Sequence, residues 1–255
     1  MVKGLEVFRE YFRSYTDRYV LIGGAACDIA MTSAGLVFRP TKDLDIVLYV
    51  EGLDAAFVRA FWDFVRVGGY QVHETSTGKK QFYRFQKPTN ADYPFMLELF
   101  SRQPDVLRVA DGSHLAPLPV EEDVSSLSAI LLDSDYYGFI LAGRQEIDGL
   151  PMVGAAQLIA LKARAWLDLT ERSRRGEQID SKKIKKHKND VFRLYQILDP
   201  ASDPEAPETV KKDIREFISR MRVEDVDLKA LGLHPGTRDG ILAEIASVYR
   251  IAESR

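Results

Sequence analysis

The chain has 255 residues, 45% hydrophobic and 29% charged, enough apolar content for the core of one large domain or two modest ones. Its net charge of -3 excludes a global attraction to nucleic acid or to an anionic membrane, so any basic site must be local. The single cysteine, Cys27, excludes an internal disulfide and a thiolate-based zinc site, and it fits a reducing, cytoplasmic setting.

The N-terminal segment carries scattered charges and lacks the apolar run of a signal peptide. No stretch approaches the about 18 apolar residues of a membrane span, and no internal repeat is present. Residues 3–15 predict an amphipathic helix, with Leu5, Phe8, Phe12 and Tyr15 at helical spacing. RYVLI (18–22) is a short β-rich run that stops at Gly23-Gly24, and AACDIAMTSAG predicts a helix closed by Gly35. DLDIVLYV (43–50) predicts a strand, and LDAAFVRAFWDFVRVGGY a helix closed by Gly68-Gly69. YQVHET, KQFYRFQ and PFMLELFSR predict three further strands, the first two joined by a Ser-Thr-Gly turn. YYGFILAGRQEIDGLPMV accommodates two short strands about a turn. From about Gly154 the segments GAAQLIALKARAWLDL, KKIKKHKNDVFRLYQIL, ETVKKDIREFISRM and RDGILAEIASVYRIAE all predict helices, with LDPASDPEAPET (198–209) as an exposed connector. The expected fold class is α+β, a small mixed β-sheet with helices over 1–150 followed by an all-helical half over 151–255.

Asp43 and Asp45 stand two residues apart on a strand and therefore share a face, while Leu44, Ile46 and Leu48 take the core-facing side. Two carboxylates near 4 Å repel by about 4 kcal/mol at an effective dielectric of 20. A divalent cation offsets that economically, since Mg²⁺ takes one or two carboxylates together with substrate phosphates. PFMLELF offers a third acid, Glu98, inside another apolar strand, where burial is costly without a partner. Wet strand edges account for the same three acids without a metal. Gly23-Gly24 follows a strand and opens a helix, so its amides can face an anion with no Cβ in the way; a plain tight turn reads the same.

Taken together, VLIGG, TKDLDIVL and FMLELF resemble the nucleotidyltransferase superfamily of the DNA polymerase β type: an apolar strand, a glycine pair, a helix, Asp-x-Asp on the next strand and a later strand with a third acid. RPTKDLDIVL with a helical second half looks most like the AbiEii/AbiGii-toxin type. The resemblance covers residues 19 to about 198. It implies a catalytic core over 1–150 and a helical domain over 151–255 that completes a nucleotide cleft. It further implies Mg²⁺ or Mn²⁺ held by Asp43, Asp45 and Glu98, and NTP phosphates met by Gly23, Gly24 and Lys42. Glu98 would also help to deprotonate an acceptor hydroxyl, and attack on the α-phosphate would expel pyrophosphate.

In the helical half, Lys162 lies within the apolar stripe Leu158, Leu161, Ala165, Trp166 and Leu169. A lysine there can snorkel to the surface; the resemblance implies instead a contact to the triphosphate. Asp190, with Lys186 four residues before it and Arg193 three after, reads as a surface ion pair, or, on the resemblance, as a partner of Lys162 or of the nucleotide. Residues 171–190 carry eight Lys/Arg against four acids, a solvated face or the path of an RNA backbone. His187 reads as a surface residue, and His73, His114 and His234 have no clustered partners, so no histidine metal site is expected.

The leading reading is an Mg²⁺-dependent nucleotidyltransferase moving an NMP from an NTP to tRNA, other RNA or protein, with an antitoxin protein as a possible partner. The alternatives are transfer to a small, aminoglycoside-like acceptor, and a non-catalytic nucleotide-binding protein of the same fold.

Overall fold

The computed structural model describes residues 2–49, 53–72, 83–101, 133–233 and 237–252. The expected Ser-Thr-Gly turn, the strand ends beside it, and His73, His114 and His234 lie outside the described residues. The chain forms two compact units, one of residues 1–134 with 144–153, the other of 135–143 with 154–255.

The first unit begins with α1 (Leu5–Phe12), which buries Leu5, Phe8 and Phe12. Tyr15 does not continue that helix; it sits at φ −128° within a 3-10 segment, Arg13–Arg18. Strand β1 (Tyr19–Ile22) runs straight into α2 (Gly23–Ser33). Strand β2 spans Asp43–Leu48. Helix α3 (Ala55–Gly68) starts where the Asp54 carboxylate accepts from the Phe57 amide at 2.8 Å and stops at Gly69, φ 63°, a side-chain N-cap and a left-handed glycine C-cap. Strands β3 (Gln71–Val72), β4 (Tyr83–Gln86) and β5 (Met96–Phe100) follow. The unit is completed by the hairpin of β6 (Arg144–Ile147) and β7 (Leu150–Val153).

These strands make one mixed sheet in the order β3-β4-β5-β2-β1-β7-β6. Pairing is parallel for β2–β5 and β1–β7 and antiparallel elsewhere. The register sorts side chains into two sets. Leu44 pairs with Leu97 and Leu97 with Phe85; Ile46 pairs with Leu99 and Leu21; Leu48 pairs with Tyr19. This face is apolar, and aromatic rings of α1 and α3 cover it, with Phe8 5.4 Å from Tyr19 and Phe61 5.5 Å from Phe85. Phe12, fully buried, ties the layer together through Phe61 and Phe64. The opposite set contains Asp43, Asp45, Glu98 and Arg84.

The second unit comprises α4 (Ser134–Ala142), α5 (Ala155–Arg174), α6 (Ser181–Tyr195), α7 (Glu208–Met221) and α8 (Arg238–Val248). Asp180 and Thr237 cap α6 and α8. Its core joins Trp166 of α5 edge-on to Phe217 of α7 at 5.5 Å. Asp213 of α7 accepts from the Tyr136 hydroxyl at 2.8 Å and from Arg164 at 3.1 Å. The chain crosses between the units around α4 and the β6–β7 hairpin rather than at one point near 150. Leu150, Met152 and Val153 bury fully beside β1 and hold that hairpin in the sheet. Among the described residues no helix is long and apolar enough to cross a membrane.

Because Phe12 fills the centre of the aromatic layer, Phe12→Ala is expected to cost about 3–5 kcal/mol. Urea denaturation of the full chain measures it; a loss below about 1 kcal/mol would show that the layer collapses around the gap.

Candidate active site: a carboxylate row beside a helix start

The site is built on the polar face of the sheet. Asp45 pairs in register with Ile22, the last residue of β1, and with Glu98 on β5; Glu98 in turn pairs with Arg84 on β4. The row across the sheet is therefore Arg84, Glu98, Asp45 and the start of α2. Asp45 is 8% exposed, and the Glu98 side chain 13%.

Gly23 has φ +71°, and a Cβ there would stand 1.7 Å from Asp45 Oδ2. Only glycine fits both the backbone and the carboxylate. The Gly24 amide donates to the same oxygen at 3.4 Å, and a Cβ on Gly24 would meet Thr41 Oγ1 at 2.5 Å. The glycine pair thus seats a carboxylate at a helix N-terminus, where the helix dipole favours negative charge. The sequence suggested amides turned toward a substrate anion; here Gly24 N–H serves Asp45.

Glu98 is buried beside a like charge. Burial, then the neighbouring Asp45 charge, push its carboxyl up to about 7, against the pull of Arg84. Arg84 Nε donates to Glu98 Oε1 at 2.6 Å, and the guanidinium and carboxylate form a part-buried ion pair. Arg84 approaches from β4, on the side of β5 away from β2, so it does not stand between Glu98 and Asp45. Sequence reasoning missed Arg84. The alternation in YRFQ, with Phe85 facing the core, was the available signal.

The expected three-carboxylate centre is drawn here as a pair. Asp43 shares the face but pairs with Met96, one repeat along the strand, and is half-buried. Same-face neighbours on one strand stand about 6.6 Å apart. Among the described residues no group of three or more His, Cys, Asp or Glu is close enough to hold a metal ion. The pair itself suits a hard cation: it offers only oxygen donors, and Mg²⁺ is satisfied by one or two carboxylates plus water and phosphate. Lys42 is exposed, its ammonium 5.7 Å from the centroid of the half-exposed Phe95 ring.

In the second unit, Lys162 does not snorkel. Its side chain is 6% exposed, with Nζ 3.9 Å from Asp190 Oδ2. Asp190, wholly buried, also accepts from Arg193 at 3.2 Å. Several cations of the 171–190 segment are engaged with acids: Arg172 with Glu177, Arg175 with Glu171 and Lys188 with Glu224. His187 is half-buried on α6.

Two outcomes follow from this geometry. Gly23→Ala is expected to lose at least about 1–2 kcal/mol from the left-handed backbone alone. Gly24→Ala should lose less, because a threonine side chain can turn away; thermal unfolding ranks the two. The raised carboxyl of Glu98 means that the native state holds a proton the unfolded chain releases near pH 4.5, so its contribution to stability declines as pH rises toward 7 and beyond. In metal-free buffer, Glu98→Gln should therefore gain on the wild type by about 2–3 kcal/mol between pH 5 and pH 8. Parallel stability profiles would remove the electrostatic conflict at Glu98.

No protein-family model matches the sequence, and no curated protein does. Among solved structures the chain is similar to an antigenic nucleotidyltransferase-like protein from Paracoccidioides brasiliensis, at 13% identity over 90% of this chain and 93% of that one, with a TM-score of 0.45. It is similar to the Megavirus polyadenylate synthase at 12% identity, over 87% of this chain and 36% of that one, with a TM-score of 0.42. It is also similar to Cid1 in complex with the UTP analog UMPNPP, at 10% identity over 96% of this chain and 63% of that one, with a TM-score of 0.28.

Proposed function

We propose that the protein is a divalent-metal-dependent nucleotidyltransferase that moves an NMP from an NTP to an acceptor hydroxyl. The observation that carries this reading is the seating of Asp45 against the Gly23-Gly24 helix start, cross-strand from Glu98. Two buried like charges side by side are unfavourable in isolation and useful where a cation and a triphosphate must be gripped. Asp45 and Glu98 would hold Mg²⁺ or Mn²⁺, with Asp43 joining from the same face. Bound there, the ion would neutralise phosphate charge and polarise the α-phosphate.

The chain's own groups have distinct parts. Gly23 and Gly24 fix Asp45. Arg84 holds Glu98 in the row. Glu98, beside the metal position, would also help to take the proton from an acceptor hydroxyl. The acceptor oxygen then bonds the α-phosphorus while the bridge to the β-phosphate breaks, and pyrophosphate leaves. Lys42, exposed beside Asp43, is assigned to triphosphate charge; for Lys162, held by Asp190 within the second unit, that role rests on the motif resemblance alone. The acceptor is assigned as RNA on the local excess of Lys and Arg in residues 171–190, although Arg172, Arg175 and Lys188 are engaged with acids. A toxin role opposed by an antitoxin protein belongs to the same reading and rests on the AbiEii/AbiGii-like motif pattern alone.

Incubation with each labelled NTP, Mg²⁺ and total RNA or lysate tests the activity. Asp45→Asn and Asp43→Ala should each lower transfer by at least about a hundredfold, the scale of removing a pre-organised charge. Their melting temperatures should stay within a few degrees of the wild type. Undiminished turnover in Asp45→Asn ends the enzymatic reading. Lys162→Met should weaken NTP binding about tenfold in calorimetry; a variant that is less stable yet binds NTP normally confines Lys162 to a structural role.

A further inference from the structure

Helix α7 carries a pattern that the carboxylate site does not use. Lys212, Arg215, Ser219 and Arg222 recur at helical spacing and are all exposed, so they form one outward ridge. Val210, Ile214, Phe217 and Met221 anchor the other side in the core. A hollow lies along each flank of this ridge, and Arg215 and Ser219 line both.

The hollow toward α5 has a volume of about 670 Å³ and is lined by six cationic and four acidic side chains. Its acids are engaged: Asp213 with Arg164 at 3.1 Å, Glu216 with Arg220 at 2.6 Å, Glu171 with Arg175 at 3.1 Å and Asp168 with Arg172 at 3.9 Å. Arg215 also reaches the exposed Glu208 at 3.4 Å, so the positive excess of the ridge rests chiefly on Lys212, with Arg222 further along it, on a chain whose net charge is -3. The hollow toward α8, about 380 Å³, has a different character. Ile218, Leu242, Ala246 and Ile251 give it an apolar floor, and Ser219 and Asp239 supply hydrogen-bonding groups among its lining. Its size is that of a small-ligand pocket.

We infer that this ridge binds single-stranded RNA, with one unstacked base in the α8-side hollow and the adjoining phosphates along Arg222, Arg215 and Lys212. A basic track beside a hollow with an apolar floor offers a single strand contacts for its phosphates and room for an unstacked base against aliphatic side chains. A duplex keeps its bases stacked inside and cannot enter the pocket. The inference rests on the transferase reading, whose acceptor it locates.

The test is fluorescence anisotropy of a labelled single-stranded RNA oligonucleotide with the full chain, in EDTA, over a range of salt. Lys212→Ala/Arg215→Ala/Arg222→Ala should bind at least tenfold more weakly at 0.1 M salt, and its salt slope should fall by about 0.7 per charge removed. Ala243→Phe, on the exposed rim of the α8-side hollow, should weaken binding while leaving the salt slope unchanged. A wild-type protein that does not bind the strand, or a triple variant that binds like the wild type, overturns the inference. An Ala243→Phe variant with normal affinity overturns the seating of a base in the pocket. Asp45→Asn should bind RNA normally; RNA binding at the ridge without any nucleotide transfer would defeat the transferase reading and leave this site standing.

Discussion

The carboxylate of Asp45 sets the geometry of the first unit's polar face. To reach the start of α2 it requires a residue without a Cβ at position 23 and a left-handed backbone there, conditions that only glycine meets without strain. It also requires the antiparallel register that brings Ile22 opposite Asp45. In return the helix N-terminus stabilises a buried negative charge by an amount on the order of 1 kcal/mol. Strand, glycine bend and helix are thereby tied to one side chain.

Glu98 enjoys less compensation. It is buried beside a like charge, and the guanidinium of Arg84 only partly offsets both effects, so its carboxyl rises to about 7. Two carboxylates a strand apart are thus given different surroundings. One is held by a backbone amide at a helix start, the other by a side-chain cation. The shift from 4.5 to about 7 corresponds to about 3 kcal/mol of strain against the charged form. That is affordable because the stabilising burial lies on the opposite face of the same strands, where each aromatic or aliphatic side chain contributes about 1.5–3 kcal/mol.

Much of this was legible in the sequence. Period-two alternation in DLDIVL separated Asp43 and Asp45 from Leu44, Ile46 and Leu48, and the cross-strand register keeps the two sets apart. Asp54 and Gly69 delimited α3 through capping chemistry that acts within a few residues. What escaped was long-range. Nothing local to PFMLELF says that β5 lies parallel to β2 with Glu98 opposite Asp45, or that β4 delivers Arg84 from the far side. Helix α4 escaped for another reason: Tyr136, Tyr137, Phe139 and Ile140 are all buried, and the helix shows no polar stripe to reveal its period, while aromatic and β-branched residues read locally as strand. Neither is the second unit's composition a single block of chain, because the β6–β7 hairpin returns to the first unit's sheet.

Register then links stability to chemistry. A slip of one residue between β2 and β5 would exchange every side chain between faces. Glu98 would turn into the layer of Phe61, Phe64 and Phe85, and leucines would fill the polar row. Burying an unpaired carboxylate among those rings is far more costly than losing one apolar contact. The aromatic layer therefore selects the same alignment that the carboxylate row needs. Neither face has to specify the site alone: the core excludes the misregistered sheet, and the glycine bend admits Asp45 only in the correct one.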